Sequence, residues 1–344
     1  MKKLMSLLLA TLMMASVLTG CGGGGATSAP AASSGAAASS GAAAPSTGAT
    51  DSLTFSTGGS QGTYYAFGGV LSQYVTSNTG LTVTAIESGG SQNNIENLQD
   101  GAAQLGFAQS DVMSYAYLGT NLFAESGAVT DISTVADLYM EQVQIVTTNP
   151  DIKTVADLKG KNVSIGDAGS GVYYNAIDIL GAYGLTEQDI NPTYQGFGDS
   201  ADSLQDGKLD AAFVVAGAPT TAITSLATTK SVYLVSLDDE HIDTLIASSP
   251  YYTKYVIPAG TYEGLDADTT TVAVGAVVVA RDDVSEDAIY EFVSTIFENL
   301  DAISAQHAKG AELSVEFAAS VTSVPYHPGA AKYFAEKGIT GPTK

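Results

Sequence analysis

The sequence predicts an α/β protein with mostly parallel strands. Three observations carry that expectation. Strand-like and helix-like segments alternate from residue 53 onward, and the alternation restarts after about residue 141. At five strand-to-helix junctions the chain also concentrates Gly, Ser, Thr and Asp.

The first unit runs strand, helix, strand, helix, strand. Leu53–Thr57 is a strand that ends in the glycine-rich "TGGSQGT". Tyr64 to Val75 follows as a helix, with Phe67, Leu71, Tyr74 and Val75 at helical spacing. Leu81–Ser88 is the next strand. Ser91 caps a helix whose Ile95 and Leu98 point inward and which Gly101 ends. Gln104–Ser110 is a third strand, and a helix begins near Asp111. The pentapeptide "TVADL" occurs at Thr134–Leu138 and again at Thr154–Leu158, and both copies read as short capped helices.

Glu141–Thr148 is a strand leaving this unit, and Asn162–Gly166 is a strand in the second. The helix after Gly171 carries Ala176, Ile179, Leu180 and Tyr183 on one stripe and ends at Gly184. A helix, a turn and a buried strand at Ala211–Val215 come next, then a strand at Val232–Leu237. Thr270–Arg281 is strongly apolar and β-branched, and helices follow at about Asp287–Ala305 and at the C-terminus.

The N-terminal residues read as targeting. Lys2 and Lys3 precede a mostly apolar run from Leu4 to Val17, and "LTGC" follows, ending in the single cysteine, Cys21. The run is shorter than the ~20 residues that span a bilayer. "LTGC" resembles a bacterial lipobox, which implies a signal peptide over 1–20 and a lipid on Cys21. Residues 21–50 form a Gly/Ala/Ser tether with no charge, a composition that buries no apolar area. The expected location is the extracytoplasmic face of the cell membrane, in a periplasm or at the cell surface.

A net charge of -23, with Arg281 as the one arginine, argues against nucleic acid and anionic lipid as partners. With one cysteine, no internal disulfide forms, so the fold rests on its core. Enzyme chemistry finds little support. Ser170 in "GDAGSG" misses the G-x-S-x-G elbow by one position. His241, His307 and His327 are widely spaced and lack any paired-histidine motif, so no metal and no catalytic residue is expected. "GGSQGT" lacks the Lys of a phosphate loop, and its glycines miss the dinucleotide spacing. No cofactor is expected.

The five junctions are Thr57–Thr63, Glu87–Ser91, Gln109–Asp111, Asp167–Gly171 and Ala216–Thr220. Ser, Thr, Asp and Gly are ordinary caps and turn residues, so no single junction marks a site. Five together, three in one unit and two in the other, describe a crevice lined from two lobes. Helix N-termini there suit a carboxylate. Tyr64, Tyr65 and Tyr173 follow two of the glycine loops and offer rings to close over a ligand. The candidate ligand-binding residues are Thr57, Gly58, Gly59, Tyr64, Tyr65, Ser88, Gly89, Ser91, Gln109, Asp111, Ser170, Tyr173, Ala216, Gly217 and Pro219. Asp111 is the expected acceptor for a ligand ammonium group.

The blocks "STGGSQGTYYAFGG", "ESGGSQNNIENLQDGAAQLGFAQSD", "TVADLKGKNVSIGDAGSGVYYNA", "GKLDAAFVVAGAP" and "VPYHPGAAKYFAEKG" resemble the TAXI family, the solute-binding receptors of TRAP transporters. The resemblance covers about residues 51–344. It implies a type II periplasmic-binding-protein fold, with two α/β lobes joined by crossover segments. Lobe 1 would comprise 51–143 and 238–344, and lobe 2 would comprise 144–237. It also implies a monomer that captures a small carboxylate, glutamate or a related amino acid, and delivers it to a TRAP-type membrane permease. Two alternatives share this closing fold: a ligand sensor for a membrane signalling partner, and a dicarboxylate receptor.

Overall fold

The computed structural model describes residues 52–344. The expected signal peptide, the tether and Cys21 lie outside the described residues. Among those described, no helix is long and apolar enough to cross a membrane.

The first lobe opens with β1 (Ser52–Ser56), α1 (Thr63–Asn78), β2 (Thr82–Ile86), α2 (Ser91–Gln99), β3 (Leu105–Gln109) and α3 (Ser110–Leu118). The long strand β4 (Ile132–Thr147) then leaves it. The second lobe holds β5 (Asn162–Ser164), α4 (Val172–Ala182), β6 (Asn191–Thr193), α5 (Phe197–Gln205) and β7 (Ala211–Ala216). It continues with α6 (Thr221–Ala227), β8 (Tyr233–Leu234), α7 (Asp239–Ser248) and β9 (Thr253–Ile257). The long strand β10 (Thr269–Arg281) returns, and α8 (Glu286–Phe297), α9 (Leu300–Ser304), α10 (Val315–Ala318) and α11 (Pro328–Glu336) complete the first lobe.

All strands belong to one mixed sheet with the order β2-β1-β3-β10-β4-β7-β5-β6. β1 is parallel to β2 and β3, and β5 is parallel to β6 and β7. Between these groups run β4 and β10, antiparallel to each other and to their outer neighbours. Each serves both lobes. β10 pairs with β3 at Ala276–Ala280 and with β9 at Thr269–Ala273. β4 pairs with β10 from Ile132 to Gln142 and with β7 from Gln142 to Thr147. Two lobes sharing two crossing strands make this the type II periplasmic-binding-protein fold.

Three apolar clusters fill the lobes. The first gathers Phe55, Phe67, Phe107, Phe292 and Phe334 in lobe 1, where the Phe55 and Phe107 ring centres are 4.8 Å apart. In lobe 2 the alternation of β7 feeds two clusters. Phe213 and Val215 face one, with Ile179 and Val163, and Ala212 and Val214 face the other, with Leu204 and Ile223. β10 has no polar face because strands flank it on both edges and side chains cover both faces, so "VAVGAVVVA" reads as a continuous apolar run.

Two sequence expectations need correction. The first "TVADL", Thr134–Leu138, is not a helix but the interior of β4, where Thr134 pairs with Val279 and Asp137 with Val277. Pairing with β10 overrides local capping there. The second copy forms a 3-10 turn over Val155–Leu158, closed by reciprocal Thr154 and Asp157 bonds. The lobe boundary at 238 also moves. Ile242, Leu245, Tyr252, Val272 and Val274 pack in a lobe 2 core, whereas Ala276 to Ala280 pack in lobe 1. The chain therefore returns to lobe 1 near Gly275.

The junction of α8 and α11 rests on a close backbone approach. A Cβ on Gly329 would stand 2.2 Å from the Glu286 carbonyl oxygen and 2.7 Å from the Tyr290 nitrogen. Backbone cannot yield as a side-chain tip can. Gly329→Ala is therefore expected to cost ~1–3 kcal/mol of stability, read as a lower urea midpoint. An unchanged midpoint contradicts this packing.

Candidate functional site

The lobes enclose a cavity of about 550 Å³. Four helices, α1, α2, α4 and α5, begin at its wall through Thr63, Ser91, Val172 and Phe197. The first N–H groups of a helix have no intrahelical partner, and they carry a partial positive charge. Four such ends around one space suit an anionic group on a ligand.

Of the residues expected at the site, Gly58, Gly59, Tyr64, Ser88, Gly89, Ser91, Gln109, Ser170 and Ala216 line the cavity. The others are placed elsewhere. Thr57 is buried behind the wall and donates its hydroxyl to the Ile86 carbonyl at 2.6 Å. Tyr65 is 39% exposed and faces away, because its neighbour on α1 takes the inward direction. Tyr173 bonds Glu187 at 3.0 Å outside the cavity. Gly217 contributes a carbonyl to the lobe contact, accepting from the Thr63 hydroxyl at 2.8 Å, and neither it nor Pro219 lines the space.

Asp111 is also withdrawn from the cavity, which corrects its expected role. Its carboxylate is fully buried and accepts from the Val112 N–H at 2.9 Å and from Asn175 Nδ2 at 3.0 Å. Asn175 lies on α4, so this bond joins the lobes. The same amide accepts from Gln109 Nε2 at 2.9 Å, and its Nδ2 also donates to the Tyr252 hydroxyl at 2.8 Å. Tyr252 donates in turn to Asp178 at 3.0 Å. Gly171 lets the lobes meet here, since a Cβ on it would fall 1.7 Å from Gln109 Oε1. Further lobe contacts run from Asn93 N to Gly169 O at 3.0 Å and from Ala222 N to Gln61 O at 3.2 Å. The lobes are thus pinned together on several sides of the cavity.

Several lining residues escaped the sequence reading. One group comes from "GFGDSAD", where β6 passes into α5, through every residue of Gly196–Asp202 but Ser200. It has the same Gly/Asp/Ser chemistry as the five junctions and was legible on that ground. The other is Glu141, one of two buried acids in β4 with Asp137. It is 2% exposed, lines the cavity and accepts from the Tyr64 hydroxyl at 2.6 Å. Tyr64 is itself stacked on Phe107, with ring centres 4.5 Å apart. Burial pushes the Glu141 carboxyl well above its ordinary range and the Tyr64 phenol likewise.

Five carboxylates line the cavity, from Glu87, Glu141, Asp167, Asp199 and Asp202, and no Lys or Arg among the described residues joins them. Arg281 pairs with Asp283 away from the cavity. Ser170 donates to the Asp167 carbonyl at 2.7 Å, and no histidine is part of the wall. His241 stacks on Tyr183, His307 packs at a tilt against Phe67, and His327 caps α11. Among the described residues no group of three or more His, Cys, Asp or Glu is placed to hold a metal ion.

The chain belongs to the NMT1-like family, whose model matches residues 55–338. A solved protein of Bordetella bronchiseptica RB50 is similar at a TM-score of 0.53 and 15% identity, over 83% of this chain and 88% of its own. The periplasmic aliphatic sulphonate binding protein SsuA of Escherichia coli gives 0.45 and 19%, over 83% and 79%. The ligand-binding component of an ABC-type import system from Staphylococcus aureus gives 0.48 and 10%, over 85% and 94%. At 15% identity, what the Bordetella protein shares with this chain is the fold.

Burial raises the Asp111 carboxyl from 3.8 to about 6. The unfolded chain titrates at the ordinary value, so between the two the folded state binds the proton more tightly. The contribution is full below the unfolded pKa and is lost as pH rises through about 6. A shift of about two units corresponds to ~3 kcal/mol. Asp111→Asn is therefore expected to gain on the parent protein by ~2–3 kcal/mol between pH 4 and pH 7.5 in urea denaturation. A constant difference across that range contradicts a sealed, ionisable Asp111.

Proposed function

We propose that the protein is an extracytoplasmic solute-binding protein of a membrane transporter. Its two lobes close on a small carboxylate-bearing solute, an α-amino acid such as glutamate, and present it to a permease. The observation that carries this reading is the cavity between two lobes that share two crossing strands, with four helix N-termini converging on it. Its volume lies in the range of small-ligand pockets. The solute's carboxylate meets the N–H groups and hydroxyls at Gly58, Gly59, Ser88, Gly89, Ser91 and, across the cleft, Ser170. Tyr64 covers it from the α1 side.

The sequence resemblance favours a TRAP-type permease as the membrane partner, with the protein held at the outer face of the cell membrane by a lipid on Cys21. Reconstitution of the protein with permeases of different classes tests that partner.

Ligand that binds only the folded state stabilises it by about 2.7 kcal/mol at a concentration of 100 Kd. For a chain of this size that corresponds to a rise in Tm of about 4 °C. A panel of amino acids and carboxylates read by thermal denaturation is expected to give at least one such rise, with glutamate among the first to try. No shift with any member contradicts the proposed function.

A further inference from the structure

We propose that Glu141, oriented by Tyr64, is the cation subsite of the cavity, taking the ammonium group of an amino-acid ligand. The cavity then discriminates against solutes that carry carboxylates alone. This rests on the reading of the cavity as a ligand site and adds the ligand's required charge.

Four of the five lining carboxylates, Glu87, Asp167, Asp199 and Asp202, are exposed at the rim, whereas Glu141 is 2% exposed. One Glu141 oxygen accepts from the Tyr64 hydroxyl at 2.6 Å. The other has no hydrogen-bond partner among the described residues, and Glu141 is a lining residue of the cavity. A buried carboxylate without a cation is costly, and it either keeps a proton or finds a positive partner. The adjacent cation, Lys309, pulls the Glu141 carboxyl down only as the smallest of the causes acting on it. It is committed to Glu312 at 2.6 Å, lies over the Tyr139 ring and is not part of the wall.

Asp111 does not compete for this role, because it is sealed behind Gln109 and Asn175. A dicarboxylate would place a second anion beside Glu141 with no base in the wall to offset it. The acidic rim acts in the same direction by lowering the local concentration of dianions.

The groups facing Glu141 are Tyr64 from α1, Asp111 from α3, Asp137 and Tyr139 from its own strand, and Lys309 from the turn at 308–312. Burial, the largest cause, and the nearby acids hold its carboxyl above the ordinary range. An incoming ammonium reverses that, so binding releases a proton and affinity rises with pH through the raised value.

Isothermal titration calorimetry of the purified protein with amino acids and their 2-oxo analogues tests the proposal. Glutamate against 2-oxoglutarate and glutarate is the first comparison. The parent protein is expected to prefer an amino acid at least tenfold over its 2-oxo analogue. Titrations in buffers of different ionisation enthalpy should show proton release on binding. Glu141→Gln should lose at least tenfold in amino-acid affinity, leave 2-oxo acid affinity unchanged or higher, and abolish the proton release. Glu141→Asp, which keeps the charge, should retain the preference, and it stands in if the Gln variant does not fold. Equal losses for both ligand types, or a 2-oxo acid that binds the parent as tightly as the amino acid, overturns the subsite while leaving the proposed function standing. Absence of binding by any amino or 2-oxo acid removes both.

Discussion

The pairing of β4 with β10 is the constraint on which the rest of the structure depends. These two strands run antiparallel through the middle of the sheet, and each ends among strands of the other lobe. Register shifts at Ala276/Val277 and Val278/Val279 interrupt their ladder, and such irregularities bend and twist a strand. Because both lobes hang from this pair, the parallel strands of each lobe present their helix starts to a common space. Glu141 sits on the same crossing strand, so the acid at the cavity wall is fixed by the hinge itself.

Much of the closure of the lobes is polar. The contacts that hold them together include the Asp111–Asn175–Gln109 network, the Thr63–Gly217 bond and the backbone bonds from Asn93 and Ala222, beside an edge-on contact of the Tyr115 and Tyr251 rings. Each of these hydrogen bonds exchanges bonds with water for bonds across the cleft, and the net gain of one such exchange is only ~1 kcal/mol. A clamp built this way opens at modest cost, which suits the proposed capture and release of a solute. A ligand bridging the two walls adds the remaining difference.

Local physics made much of this visible in the sequence. The glycine knot at Gly58–Gly59, the "ESGGS" turn and the "DAGSG" turn all reach the cavity because strand ends and helix starts demand those residue types there. Helical spacing placed Phe67 and Leu71 in the core, and both are fully buried. Long-range pairing hid the rest. Thr134–Leu138 has the sequence of a capped turn and becomes a strand only because β10 lies beside it. Asp111 follows the end of β3, where a ligand group is expected, whereas Glu141 lies in the interior of β4, so sequence position favours Asp111. Only the lobe contact through Asn175 shows that Asp111 is sealed, and only the hinge geometry brings Glu141 to the wall. The choice between Tyr64 and Tyr65 needed the register of α1 against Phe107.

A cleft that closes on a small amino acid should retain part of its cargo through purification. The most direct test of that central claim is mass spectrometry of small molecules released on denaturing the natively purified protein. The account predicts one solute per chain at most, of amino-acid size, bearing both a carboxylate and an ammonium group. Release of a solute lacking an ammonium group, such as a dicarboxylate or a nucleotide, would contradict it.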